Sequence, residues 1–205
     1  NGVPADGDLW VSYSVNKEDM WISRIPVPVE INASAHADDD FSKNKSIAEL
    51  TDWNIYSPVW APVSLEDQWL KLQDKDPFDY AKVERKIPAS KELKVSFDLK
   101  AAQNNKGTLQ IEFLDENGIA CSRMELTDDG IFRLKGGSRF ANMMKYEAGK
   151  VYHVEAVLST VDRNIQVYVD GKRVGLRMFY APVAAVERIV FRTGVPRTFP
   201  TVDTP

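Results

Sequence analysis

The sequence predicts an all-β protein built as an antiparallel sandwich, and three observations carry that prediction. Apolar residues recur at every second position, as in Leu93, Val95, Phe97 and Leu99, or in Ile165, Val167 and Val169 with Gln166 and Tyr168 facing the other way. That period belongs to strands with one buried face. Pairs such as Asn117-Gly118, Asp129-Gly130 and Asp170-Gly171 fall between the runs, and their glycines accept the positive φ of tight turns. Finally, no amphipathic helix of useful length, no strand-helix-strand alternation and no repeat of fixed period breaks the pattern.

The clearest element is the hairpin from Val151 to Val174, turned by Asp170-Gly171 and organising the strands around it. Taken in order, the chain opens with a candidate hairpin of Asp8–Val15 and Met20–Ile25 around the polar turn Asn16 to Asp19. Trp10 with Ser12 and Ser14 marks one face, Val11 with Tyr13 and Val15 the other, and apolar bulk on both implies packing on both sides. Pro26 and Pro28 end it, because proline cannot donate into a ladder. Residues 30–52 read as a polar connector with one helical turn at Ser46 to Thr51.

Strand runs resume at Trp53 to Tyr56, Val59 to Val63, Gln68 to Leu72 and Tyr80 to Ile87, with Pro58 and Pro62 placing the first of them at an edge or in irregular crossings. Leu93 to Leu99, Thr108 to Leu114, Cys121 to Leu126 and Ile131 to Leu134 follow, then Gly136-Gly137 as a loop. The central hairpin, Leu176 to Tyr180 and Val186 to Arg192 complete roughly ten to twelve strands.

At 205 residues the chain suits one large β-domain with a small appendage. A hydrophobic fraction of 43% supplies a core, and 27% charged residues supply a soluble surface. The net charge of −4 argues against a nucleic-acid partner, which needs a concentrated basic face. No apolar run approaches a membrane span, and no signal peptide is visible. The chain opens at Asn1 instead of Met, so a leader or a preceding domain is expected ahead of it. Cys121, the single cysteine, lies in a strand-like run and reads as a small buried apolar side chain.

The runs Trp69 to Asp76, Ala81 to Pro88 and Leu93 to Leu99 are similar to the opening strands of a concanavalin A-like jelly roll. Val151-Tyr-His-Val-Glu-Ala-Val-Leu158 with Gln166-Val-Tyr-Val-Asp-Gly-Lys-Arg-Val174 resembles the matching pair in laminin-G-like, lectin-like sandwiches. The segment from Asp8 to Pro28 looks instead like the end of the last propeller blade in BNR-repeat, sialidase-like proteins of polysaccharide-degrading Bacteroidetes. These resemblances imply residues 1–29 as a blade remnant, 30–52 as a connector and 53–205 as a concanavalin A-like jelly-roll β-sandwich. They also imply a secreted, periplasmic or cell-surface protein whose sandwich binds glycan or acts as a structural companion to a preceding propeller domain. A sialidase-like glycoside hydrolase or lyase is the implied parent, and a purely structural interdomain module is the competing reading.

The residues themselves point to no catalytic centre. In concanavalin A-like glucanases the family motif sets Glu, Asp and Glu at alternate positions of one strand. Here Glu112 and Glu116 are expected on one face with Leu114 between them, an ordinary charged strand face without the central acid. Asp38-Asp39-Asp40 lacks the spacing and glycine of a calcium loop. His36 and His153 have no histidine partner at ligand spacing. Neither a phosphate-cradling glycine loop nor a Ser-His-Asp order nor a Cys-His cluster is present, so no cofactor or metal is implied.

Trp53, Tyr56, Trp60 and Trp69 crowd seventeen residues. They are candidates for stacking on sugar rings, against the alternative that they fill the core and the seam to the first hairpin. Lys17, Glu18, Asp19 and Arg24 are candidates for the cleft of the parent propeller, against the alternative of a solvated turn.

Overall fold

The structure is a computed structural model that describes residues 7–15, 19–27, 37–76 and 78–194. The chain divides into two units, residues 1–33 and 34–205. The first contains an antiparallel hairpin, β1 (Gly7–Val15) with β2 (Asp19–Val27), in a register that sets Trp10 opposite Arg24, Ser12 opposite Ile22 and Ser14 opposite Met20. Leu9, Trp10, Tyr13, Met20 and Ile22 are all exposed, on both faces of the ribbon.

The second unit is a jelly-roll β-sandwich. A 3-10 turn, Ile47–Glu49, precedes β3 (Trp53–Tyr56), β4 (Val63–Glu66), β5 (Trp69–Leu72), β6 (Lys82–Ser90) and β7 (Glu92–Lys100). Then come β8 (Leu109–Leu114), β9 (Ala120–Leu126), β10 (Ile131–Gly136), β11 (Arg139–Lys145), β12 (Val151–Ser159), β13 (Asn164–Val169), β14 (Lys172–Met178) and β15 (Val186–Thr193). One sheet has seven strands in the order β11-β10-β9-β8-β15-β6-β3, the facing sheet four in the order β14-β13-β12-β7, and β4 pairs with β5 as a separate hairpin. Every neighbouring pair is antiparallel, for example Phe113 opposite Ile189 and Val154 opposite Phe97.

Alternation decides which side chains meet between the sheets. Ile111, Phe113, Met124 and Leu134 of the wide sheet share one core with Val154, Ala156 and Leu158 of β12 and Ile165 and Val167 of β13. A smaller core of Ala61, Val63, Ala81 and Val83, flanked by Trp53, Leu70 and Leu72, lies under the inner face of the β4–β5 hairpin. Between the connector and the sheet, the buried Arg85 guanidinium donates to Asp39 at 2.8 Å and to the backbone carbonyl of Lys86 at 3.1 Å, and it pairs with Asp52 at 3.4 Å. One residue of the acidic run thus anchors residues 37–52 to β6. Another, Asp40, accepts from the backbone and hydroxyl of Ser42.

Several local expectations need correction. Asp170 and Gly171 both take positive φ, as a two-residue hairpin turn requires. At Asn117-Gly118, by contrast, only Gly118 does, because Asp115 accepts from the Asn117 and Ile119 amides and sets a longer turn. That turn begins where β8 ends, at Leu114, so Glu116 lies beyond the strand and does not share its face with Glu112. Residues 59–61 are turn and bend, and the strand expected there begins at Val63. The chain after Gly136 is not a simple loop: Gly137 takes φ +56 and turns β10 directly into β11.

The two sheets close on each other where β10 and β11 approach β14. A Cβ at Gly175 would stand 2.7 Å from the Met143 sulfur and 3.1 Å from a Leu134 methyl. Gly175→Val should therefore lower unfolding free energy by about 1–3 kcal/mol through overpacking, measured by chemical denaturation. Phe113→Ala, which empties a fully buried site, should cost about 3–5 kcal/mol in the same assay.

Candidate functional site

The β4–β5 hairpin has two unlike faces because its strands alternate. Val63, Leu70 and Leu72 point inward, while Ser64, Glu66, Trp69 and Lys71 share the outer face. The ladder continues past the strand ends: the Gln73 amide donates to the Pro62 carbonyl at 3.0 Å and the Lys75 amide to the Trp60 carbonyl at 2.9 Å. Trp60 lies in the turn that leads into β4, tied to the hairpin by that last bond, and Ala61 and Val63 beside it are buried. Trp60 is 66% exposed and Trp69 37%.

Trp69 stands beside the hairpin's tip and Trp60 in the turn at its opposite end. Between them lies the Glu66–Lys71 ion pair at 2.9 Å, with the Ser64 hydroxyl donating to Glu66. Asp67 and Gln68 turn the tip, both at positive φ and neither a glycine. Flat apolar rings alternating with hydrogen-bonding groups are what a sugar, apolar on its ring faces and polar at its rim, can engage.

The other two aromatic candidates lie elsewhere. Trp53 is half-buried on β3, tilted against Phe41 at 5.8 Å, and lines a cleft of about 300 Å³ with Thr51, Asp52, Glu84, Lys86 and Arg188. Tyr56 lies on the opposite face of the same strand, where its hydroxyl donates to both Asp79 oxygens at 3.1 Å and its ring meets Tyr80 at 5.1 Å. The four residues, close in sequence, thus divide among a cleft, a sheet face and a hairpin.

Glu112 belongs to the outer face of the seven-stranded sheet. Arg123 grips one of its carboxylate oxygens through two nitrogens, at 2.6 and 2.5 Å. Glu125 is held by Arg133 at 2.6 Å, and Glu84 by Lys82 at 2.9 Å and Arg188 at 3.2 Å. Each carboxylate projecting from the middle of this face is paired with a cation.

Lys17, Glu18 and His36 fall outside the described residues. Asp19 opens β2 opposite Val15, and exposed Arg24 pairs with Asp8 at 2.9 Å across the ribbon. His153 is exposed and bonded to Asp98 at 2.8 Å. Cys121 is fully buried, and burial pushes its thiol up to about 12, which leaves it inert. Residues that sequence reasoning missed include Arg192, stacked on Tyr80 at 3.9 Å, and Lys135, over the Tyr180 ring at 4.3 Å. Their strand alternation was readable, but the rings that seat them come from segments distant in sequence.

Fold and site together define a jelly-roll β-sandwich module that carries exposed tryptophans and whose central outer-face carboxylates are paired with cations. A family model described as "Sialidase-like, CBM domain" matches residues 53–205, and the chain belongs to this family of carbohydrate-binding modules. It is a non-catalytic accessory type of domain. A solved structure of a sialidase matches 100% of the chain at 89% identity with a TM-score of 0.88, and the chain spans 19% of that sialidase. The Crh5 transglycosylase is similar in fold alone: 13% identity, TM-score 0.61, 78% of this chain and 69% of that one for the apo form. The same enzyme in complex with NAG aligns at 12% identity and TM-score 0.60, with the same shares. No curated protein matches the chain.

The phenols on the wide sheet's outer side give a pH test. Tyr180 is pushed up to about 12 by burial, and Tyr56 to about 12 by burial first and then by its bond to Asp79. An unfolded tyrosine ionises near ~10, so the folded state holds these protons more tightly. The stability they contribute is complete below about pH 10 and is lost as pH rises through about 12. Melting temperature should fall across that window, with a smaller fall in Tyr180→Phe, as followed by circular dichroism against pH.

Proposed function

We propose that this chain is the glycan-binding accessory part of a larger, extracytoplasmic sialidase-like protein, and that it engages sugar through the outer face of the β4–β5 hairpin and the turn that enters it. The observation that carries the reading is the exposure of Trp60 and Trp69, one in the turn that enters the β4–β5 hairpin and one beside its tip, with Ser64, Glu66 and Lys71 on the hairpin's outer face. Membership in the sialidase-like CBM-domain family supports it, as does the 89% identity to part of a sialidase. Trp53 and Tyr56 would be secondary contacts, the first from its cleft and the second from the sheet face.

In the same reading the hairpin of residues 7–27 belongs to the last blade of a BNR-repeat propeller in a polysaccharide-degrading bacterium, and Lys17, Glu18, Asp19 and Arg24 lie toward that propeller's cleft. Its exposed Trp10, Met20 and Ile22 are the kind of apolar surface that neighbouring strands of a blade would cover. The hydrolytic chemistry would reside in the propeller, and the sandwich would hold the enzyme at its polymer.

A glycan array probed with the chain should identify a ligand. Trp60→Ala and Trp69→Ala should each weaken binding to it by more than about 1 kcal/mol, as truncating an aromatic anchor of a binding surface does, with the melting temperature unchanged. Retention of full affinity in the double variant, read by isothermal titration calorimetry, would remove the hairpin from the site. Binding of no glycan at all would favour a purely structural module.

A further inference from the structure

The outer face of the seven-stranded sheet carries a charge opposite to that of the whole chain. On its five strands from β10 to β6, the outward positions set in register by the ladders hold Lys82 and Lys86 of β6 and Arg188 and Arg192 of β15. Arg123 of β9 and Arg133 with Lys135 of β10 continue the row. Against these seven cations stand three carboxylates, Glu84, Glu112 and Glu125, an excess of four positive charges on one face of a chain whose net charge is −4. Asp52, in the cleft with Lys86 and Arg188, and Asp79, bonded to Tyr56 on the outer face of β3, border it at one edge.

The way the cations are seated keeps that charge available. Arg192 is stacked on Tyr80 and Lys135 on Tyr180, while Arg133 lies 4.3 Å over Phe140. A ring face orients a cation without cancelling its charge, unlike a carboxylate. Among the described residues, Lys86, Lys135 and Arg192 have no carboxylate partner. Beside Arg192 in the register sits Gln110, 2% exposed, with its side-chain oxygen unpartnered, and the Arg192 Nε is likewise buried without an acceptor. Three strand spacings and two residue steps put Arg192 and Lys135 about 15 Å apart. A single small anion satisfies one of them and not both.

We propose that this face is a second binding surface, separate from the β4–β5 hairpin, for a polyanionic glycan that carries carboxylate or sulfate groups at intervals along its chain. The cations, held over ring faces, meet the acidic substituents. A nucleic acid fits less well, because a chain of net charge −4 repels a uniformly charged backbone away from this one face.

The test is affinity electrophoresis and calorimetry of the 205-residue chain with chondroitin sulfate, hyaluronan, polysialic acid and neutral dextran of similar length, with duplex DNA as a control. At low salt at least one acidic glycan should bind about tenfold or more tightly than dextran, and its affinity should fall as salt rises. The sulfated and carboxylate-only probes separate the two oxyanion sources. Arg192→Gln with Lys135→Gln should lower that affinity about tenfold, and Lys86→Gln with Lys135→Gln, which breaks no ion pair, about fivefold. Trp60→Ala should leave it unchanged, so failure at the hairpin and failure at this face are told apart. Equal binding of dextran, absence of binding to every acidic probe, or unchanged affinity in the lysine double variant would overturn the proposal. DNA binding as tight as that of the acidic glycans would replace the glycan by polyanions at large.

Discussion

The structure rests on an inequality between its layers. Seven strands face four, so one side of the wide sheet is committed to the apolar core and the other has no sheet to cover it. Strand alternation then forces every second residue of β6, β8, β9, β10 and β15 onto an uncovered surface. The sequence fills those positions with long charged side chains whose stems bury the sheet between them. Val190, in the middle of this outer face, is 3% exposed. Such amphipathic stems shield apolar surface while their heads stay near water.

That solution also explains why the sandwich does not resemble a hydrolase at its centre. The carboxylates nearest the middle of the face are consumed by guanidinium and ammonium groups, Glu112 by Arg123 and Glu125 by Arg133. These pairs fix the charged layer in place and leave cations in surplus. The fold shared with the Crh5 transglycosylase supplies the architecture. What this chain does with it depends on the side chains grafted onto the strands.

The hairpin β4–β5 is held differently. It belongs to neither main sheet, and its inner side rests on a small core with Ala81, Val83 and Trp53. A ribbon of two strands is marginal by itself. Its support from the edge of the wide sheet and from Ile47 leaves its other side, with Trp69, facing outward. Gly175 and Gly136 do the complementary work at the far edge, where a missing side chain allows β14 and β10 to approach.

The sequence by itself determined the class of fold and most strands, because alternation and glycine turns are local properties that any neighbour arrangement must respect. Leu93 to Leu99 and Ile165 to Val169 could be read directly, and so could the Asp170-Gly171 turn. It also showed that Cys121 is an interior residue and that no acid triplet of the hydrolase kind is present. β11 escaped notice because Gly137-Ser138 was not read as a hairpin signal between Lys135 and Phe140, although that dipeptide is one.

Tertiary structure alone decided which strand lies beside which, and with it everything that depends on pairs. Arg188 and Glu84 are brought together from opposite ends of the sandwich sequence, and Arg192 meets Tyr80 only because β15 returns beside β6. Periodicity records the side of a strand on which a residue stands and not the partner across the gap. The separation of Trp53 and Tyr56 from Trp60 and Trp69, and the charge of the wide sheet's open face, were therefore invisible until the chain was folded.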